Sequence, residues 1–288
     1  MDIQKLKKRL LKEEIRRQRK KSKYWRFLVP GILLGLVLLF AGLGFYLTHF
    51  DRILEDDYAE AERLLARGDY QEAQAGFVSI YRRHPSFHLA PQALFQSGEI
   101  LNVYQRNYDE ALLAYLLLQK DFPENPLARR AQEQVAEIYK NRLRDYRKAI
   151  VAYQKLLDGG DDQDQIQYQL ADCYFRLEDY RQARSEFEKL SSRYPGSKLQ
   201  AEVRYRIGVT FSLEGNQSEA LKAFREVANR WPESDYALEA LFSQASALEE
   251  RDELPAALKL LEGLRGRYPQ KEALEKKLVQ VRHRLAKK

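Results

Sequence analysis

A repeat constrains this chain more than any other feature. Six segments align: Asp69-Tyr70-Gln71-Glu72-Ala73, Asn107-Tyr108-Asp109-Glu110-Ala111, Asp145-Tyr146-Arg147-Lys148-Ala149, Asp179-Tyr180-Arg181-Gln182-Ala183, Asn216-Gln217-Ser218-Glu219-Ala220 and Glu253-Leu254-Pro255-Ala256-Ala257. Their alanines are separated by 38, 38, 34, 37 and 37 residues. Four residues after each alanine stands a large apolar group: Phe77, Tyr115, Tyr153, Phe187, Phe224 or Leu261. Twelve residues after it comes a proline in every repeat but the third: Pro85, Pro123, Pro195, Pro232 and Pro269. Twelve or thirteen residues before it lies a small residue, Ala61, Gly98, Ala136, Ala171, Gly208 or Ala245. Leu64, Leu101, Tyr139, Tyr174, Phe211 or Leu248 follows three positions later.

Each recurring position has a physical task. A small residue on a first helix and the alanine on a second let two helices approach closely, and the large groups fill the space around that contact. Asp or Asn ahead of the second helix caps it, and the proline ends it. One helix pair leaves a face bare, so pairs must stack, and an array of this period reads as an all-α solenoid. Leu274, Leu278, Val281 and Leu285 share one face of a last segment whose other face is basic, which predicts a capping helix over 271–288.

These residues resemble the tetratricopeptide repeat over about 51–270, which implies six right-handed repeats. The extended first helices, as in Trp231-Pro232-Glu233-Ser234-Asp235-Tyr236, are similar to the subtype in bacterial envelope proteins. Examples are the lipoprotein subunit of the β-barrel assembly machine and the Tol-Pal-associated coordinator of cell-wall constriction. The layout of anchor plus repeats resembles YfgM, an ancillary protein of the Sec translocon. In related repeats the first helices line the concave face. Three residues before the small position stand Tyr58, Phe95, Glu133, Tyr168, Tyr205 and Phe242. The five aromatics form either a ladder gripping a peptide or packing between adjacent repeats.

Ahead of the repeats, residues 27–48 are 22 uncharged residues with eight leucines. At 1.5 Å per residue they reach about 33 Å, enough for roughly 30 Å of hydrocarbon. Pro30 is expected in the first turn of that helix, and Tyr24, Trp25 and Tyr46 at its interfaces. Residues 1–26 hold 12 of the 49 Lys/Arg and 3 of the 42 Asp/Glu, so the tail carries +9 and the rest of the chain −2. That asymmetry predicts a cytoplasmic tail, a single-pass signal anchor and an extracytoplasmic repeat domain. It also removes nucleic acid as a partner, because the body is neutral. No A-x-A-like site follows the apolar run, and no cysteine stands near its end for lipid attachment. Ile3, Leu6, Leu10 and Ile15 among the basic residues would suit anionic headgroups, though an ordinary topology signal needs no more than the charge. Gly31 and Gly35 form a small-xxx-small pair that would suit a homodimer. The anchor runs into the first repeat without a linker, with at most a short break near Thr48–Asp51.

Chemistry-bearing patterns are few. One cysteine, Cys173, excludes a disulfide framework and reads as a buried, inert thiol. His84 and His88 are four apart, but Pro85 between them argues against a metal pair. Asp158-Gly159-Gly160-Asp161-Asp162-Gln163-Asp164 lacks the pattern of a calcium loop and reads as a turn before a helix cap. No phosphate loop, nucleophile elbow or paired-carboxylate motif is present. The expectation is a non-catalytic scaffold in the inner membrane, with no cofactor or metal, binding envelope proteins or peptides. A chaperone-like module beside the Sec translocon is the alternative, and an accessory subunit or an enzyme with an unrecognised site is the outside reading.

Overall fold

The small residue, the alanine and the large group that recur in sequence meet in space. The computed structural model describes residues 3–160 and 164–287, with side chains throughout except at residues 3, 19–29, 43 and 46–50. The chain divides into two units, Met1–Ala93 and Leu94–Lys288, and the described residues are helical with no strand.

In the first unit, α1 (Ile3–Arg67) and α2 (Tyr70–Arg83) pack together. Ala61 and Ala73 are buried, and a Cβ built on Gly76 would stand 3.1 Å from the Ala61 Cβ, so only small residues allow this approach. Phe77 fills the space beside it. The helix α1 runs unbroken for 65 residues, about 97 Å at 1.5 Å per residue. It continues through Thr48–Asp51, where the sequence allows at most a short break. Pro30, expected in a first turn, lies mid-helix, because the basic segment ahead of it is helical too. Its ring therefore removes one rung of the α1 ladder. Among the described residues no helix is long and apolar enough to cross a membrane. The side chains of 27–29, 43 and 46–48, part of the expected span, lie outside them.

In the second unit the helices come in pairs. They are α3 (Ala90–Glu99, its first residues in the first unit) with α4 (Tyr108–Asp121), α5 (Pro126–Glu137) with α6 (Tyr146–Leu157), and α7 (Asp164–Arg176) with α8 (Tyr180–Arg193). Then follow α9 (Gln200–Leu213) with α10 (Gln217–Arg230), α11 (Asp235–Glu250) with α12 (Leu254–Gly263), and α13 (Lys271–Ala286). From α4 onward each helix packs on the next in sequence, and α9 also touches α11, so first helices of successive repeats are neighbours. Ala111, Ala149, Ala183, Ala220 and Ala257 are wholly buried, as are Tyr115, Phe187 and Leu261. Leu274, Leu278 and Val281 of α13 close the apolar end of α11 and α12, as a cap must.

Two repeats carry one residue more between the small position and the alanine: Gly98 to Ala111 and Ala136 to Ala149 span thirteen residues, the others twelve. The surplus is absorbed by π-helical turns at Ile100–Tyr104 and Ile138–Arg142, which widen the end of each first helix. All six pairs then close alike. The N–H ahead of each second helix donates to the carbonyl of the recurring large residue: Asp69 to Leu64, Asn107 to Leu101, Asp145 to Tyr139, Asp179 to Tyr174, Asn216 to Phe211 and Glu253 to Leu248. The residue before each cap is left-handed. It is Gly68 or Gly215 in two repeats, but Arg106, Arg144, Glu178 and Asp252 at φ 53–65° in the others. The expected caps form at Asn107, Asp145, Asp179 and Asn216, whose side chains accept from the N–H three residues on. Asp69 makes no such bond.

Candidate binding surface

The aromatic series stands against the second helix of its own repeat. Phe95 lies 5.6 Å from Tyr115, Tyr168 5.6 Å from Phe187 and Tyr205 5.6 Å from Phe224, centroid to centroid. In the first unit Tyr58 meets Phe77 edge-on at 5.3 Å. Phe242 stacks on Tyr268 at 4.8 Å. Phe95 and Tyr168 are buried, while Tyr58, Tyr205 and Phe242 keep part of their surface in solvent. Two hydroxyls reach the next repeat: Tyr168 donates to Glu202, and Tyr205 lies 3.3 Å from Ser243 Oγ. The rings thus pack within their repeats, and two of their hydroxyls reach the next one.

Those polar atoms form a pattern. Tyr115, whose ring fills the space over Gly98, donates its hydroxyl to Glu99 on the first helix. One repeat on, Tyr153 donates to Glu137 Oε1 at 2.9 Å. Tyr168 serves Glu202, and Tyr268 serves Glu239 Oε2 at 2.9 Å. Burial first, and then the adjoining carboxylate, pushes the pKa of Tyr115, Tyr153, Tyr168 and Tyr268 upward, so these phenols remain donors at any physiological pH. The four carboxylates are half-buried. A pattern in the sequence marks these acidic positions. An acidic residue follows the small position in four repeats, as Glu62, Glu99, Glu137 and Asp172, and stands six before it as Glu202 and Glu239.

A second ladder ties first helices together. The residue four after the small position reaches the residue two before it in the next repeat. Asn102 Nδ2 donates to Gln134 Oε1 at 3.4 Å, Lys140 to Gln169, and the Arg206 guanidinium sits 5.5 Å from the Phe175 ring centre. Lys140 and Asp172 form an ion pair at 2.7 Å with both side chains under a tenth exposed. Beside them Cys173 is fully buried, and burial pushes its thiol up to about 12, aided by Asp172 and Glu137 and opposed by Lys140. That thiol is inert at neutral pH. His84 ends α2, and His88 Nε2 stands 3.9 Å from Glu55 Oε1. Among the described residues no group of three or more His, Cys, Asp or Glu is placed to hold a metal ion. Asp161, Asp162 and Gln163 lie outside the described residues. Gly31 and Gly35 have open space where a Cβ would be.

Helix pairs stacked by a recurring small-on-large seam, with an accessible polar face and no reactive centre among the described residues, define a helical-repeat interaction scaffold. The sequence matches the tetratricopeptide repeat family over residues 58–126, 162–233 and 239–271. The chain is a tetratricopeptide repeat protein. Comparison with curated proteins finds no match. Among solved structures it is similar to a tetratricopeptide repeat protein from Parabacteroides merdae, at 20% identity and a TM-score of 0.52 over 73% of this chain and 78% of that one. It is also similar to a chain in the structure of Naa15/Naa10 bound to HypK-THB, at 19% identity and a TM-score of 0.59 over 78% of this chain and 33% of that one. MamA matches at 16% identity and a TM-score of 0.50, covering 69% and 95% of the two chains. At these identities the likeness is one of fold. Proteins of this family are in general non-catalytic scaffolds that bind proteins or peptides.

Proposed function

We propose that this protein is a membrane-anchored scaffold of the bacterial envelope, with its tail in the cytoplasm and its repeats on the far side of the inner membrane. The supporting observation is a helix segment that is apolar on every side. Ile32, Leu33, Leu34, Leu36, Val37, Leu38, Leu39 and Phe40 are each between 47% and 67% exposed, on the same α1 that enters the first repeat. A helix apolar all round needs an apolar surrounding, and hydrocarbon supplies it. The +9 tail sets the direction and suits anionic headgroups, and Gly31 and Gly35 offer a seam to a second copy. Because α1 is continuous, the first repeat is held on a semi-rigid mount, and its partner is an envelope protein or peptide near the membrane.

A reporter active only outside the cytoplasm, fused after Lys288, is expected to work. Activity from a cytoplasm-only reporter at that position would overturn the reading. Photo-crosslinking in cells from Glu99 and Glu239, followed by mass spectrometry, is expected to capture envelope proteins. A yield dominated by translocon subunits would move the protein beside the Sec machinery.

A further inference from the structure

We infer that the second and third repeats carry a docking surface for an acidic amphipathic segment of a partner protein, on the edge where their first helices turn into their second. The inference rests on the scaffold reading above and adds the face used and the chemistry of the partner. Among the described residues only these two repeats close through a π turn, Ile100–Tyr104 and Ile138–Arg142. Val103, Tyr104 and Leu143, at or just past those turns, are 41–51% exposed. The same two repeats place a large apolar residue two positions after the alanine, Leu113 on α4 and Val151 on α6, each at least half exposed. The other four repeats have Ala75, Ser185, Lys222 and Lys259 there. The second π turn packs on both α4 and α6, so Arg142 and Leu143 emerge between the helices that carry Leu113 and Val151. The other pairs close without such side chains, so the seam does not require them.

Charge decides what this surface fits. Residues 142–148 hold Arg142, Arg144, Arg147 and Lys148 against one acid, Asp145, which Lys148 already pairs at 3.2 Å. Arg106, Arg142 and Arg144 are exposed and form no ion pair among the described residues. Asp109 and Glu110 stand in the first turn of α4, where the helix N-terminus favours them. Two of the arginines are held under strain. Arg106 and Arg144 have φ of 54° and 53° at the place where Gly68 and Gly215 serve in other repeats. A side chain is disfavoured in that left-handed region, and strain kept at a surface position points to a use for the side chain. Apolar groups beside uncommitted guanidiniums match a segment with leucine-type residues flanked by Asp or Glu, because a carboxylate takes a charge-assisted, bidentate bond from arginine.

The test uses the purified full chain and three fluorescent peptides of about fourteen residues, roughly four helical turns. One carries leucines and glutamates in a helical pattern, the second leucines and lysines, the third serines and glutamates. Anisotropy is expected to show the first binding at least about tenfold more tightly than either of the others, and weakening as salt rises. Combining Arg106→Gly with Arg144→Gly is expected to weaken it by at least about tenfold while the melting point stays level or rises, because glycine relieves the left-handed turns. Combining Leu143→Ser with Val151→Ser is expected to weaken it too, with the helical signal unchanged. Equal binding of the lysine or serine peptide overturns the inference, as does binding that survives either pair of substitutions. A lower melting point in the glycine pair would make the arginines part of the fold and overturn it as well. Binding of none of the three peptides also overturns it. Retention on phosphatidylglycerol vesicles that falls in the glycine pair would then assign the surface to lipid. In each case the anchored scaffold is judged separately, on its reporter and its crosslinks.

Discussion

Gly208→Ala tests the seam that makes this chain a repeat protein. A methyl built on Gly208 would stand 2.6 Å from Phe224 Cε1, 2.7 Å from Cδ1 and 3.1 Å from Cζ. The Phe224 ring is 1% exposed, and Tyr205 packs against it at 5.6 Å, so it has nowhere to move. Overpacking a core costs about 1–3 kcal/mol, and contacts this short belong at the upper end. Alanine in place of glycine inside a helix returns about 1 kcal/mol. The net expectation is a loss of about 1–2 kcal/mol, or a melting point lower by roughly 2–8 °C for a domain of this size. Circular dichroism on the purified chain reads it. Gly196→Ala is the control, because nothing stands within 4 Å of its Cβ position. Adding Phe224→Leu to Gly208→Ala is expected to cost less than the two single changes together, since the clash disappears with the ring. A Gly208→Ala chain that melts at or above the wild type would refute the reasoning.

Three further outcomes follow from other parts of the structure. Asn216→Ala removes a side-chain cap and is expected to cost about 1 kcal/mol, whereas Asp69→Ala, with no cap bond to lose, is expected to cost under about 0.5 kcal/mol; equal losses in urea titrations would contradict the caps. Lys140→Met leaves Asp172 buried with Arg176, at 3.6 Å, and the Arg206 guanidinium to balance it. That change is expected to cost about 3 kcal/mol and to be largely recovered by adding Asp172→Leu, so a silent single variant would show the pair to be unimportant. Tyr115, Tyr153 and Tyr168 have pKa values raised above the ordinary 10, so the stability they carry is complete below pH 10 and is lost as pH rises through the folded values. The melting point is expected to fall between pH 10 and 11 and to fall less in Tyr153→Phe; a melting point unchanged from pH 8 to 11 would contradict it.

The helix pairs were legible because the seam admits so few residues. Only glycine fits where Tyr115 and Phe224 press on the facing helix, and alanine serves in the other repeats, so the small positions recur however much the rest varies. The thirteen-residue spacing at Gly98 and Ala136 was visible too, but not its meaning. One surplus residue can lengthen a loop or widen a helix, and only packing chose the π turns. The aromatic series is visible in sequence but its role is not, because a ring three residues before the small position suits a groove or a core equally well. The carboxylates do not stand out in sequence, since a glutamate on a helix ordinarily reads as solvated surface.

What the sequence determined alone is therefore what local sterics and periodicity dictate. These are the six pairs, their caps and proline stops, the capping helix and the charge step across residues 27–48. What the tertiary structure decided depends on groups brought together from different repeats. Tyr168 finds Glu202 thirty-four residues away, Lys140 finds Asp172, and Arg106, Arg144, Glu178 and Asp252 accept a left-handed backbone where glycine would be easier. A turn clamped by the bond from each cap N–H to the preceding large residue can hold that conformation against its own preference. These partners stand about a repeat apart in the sequence, far beyond any local pattern, so only their assembly decides which polar atoms are used up.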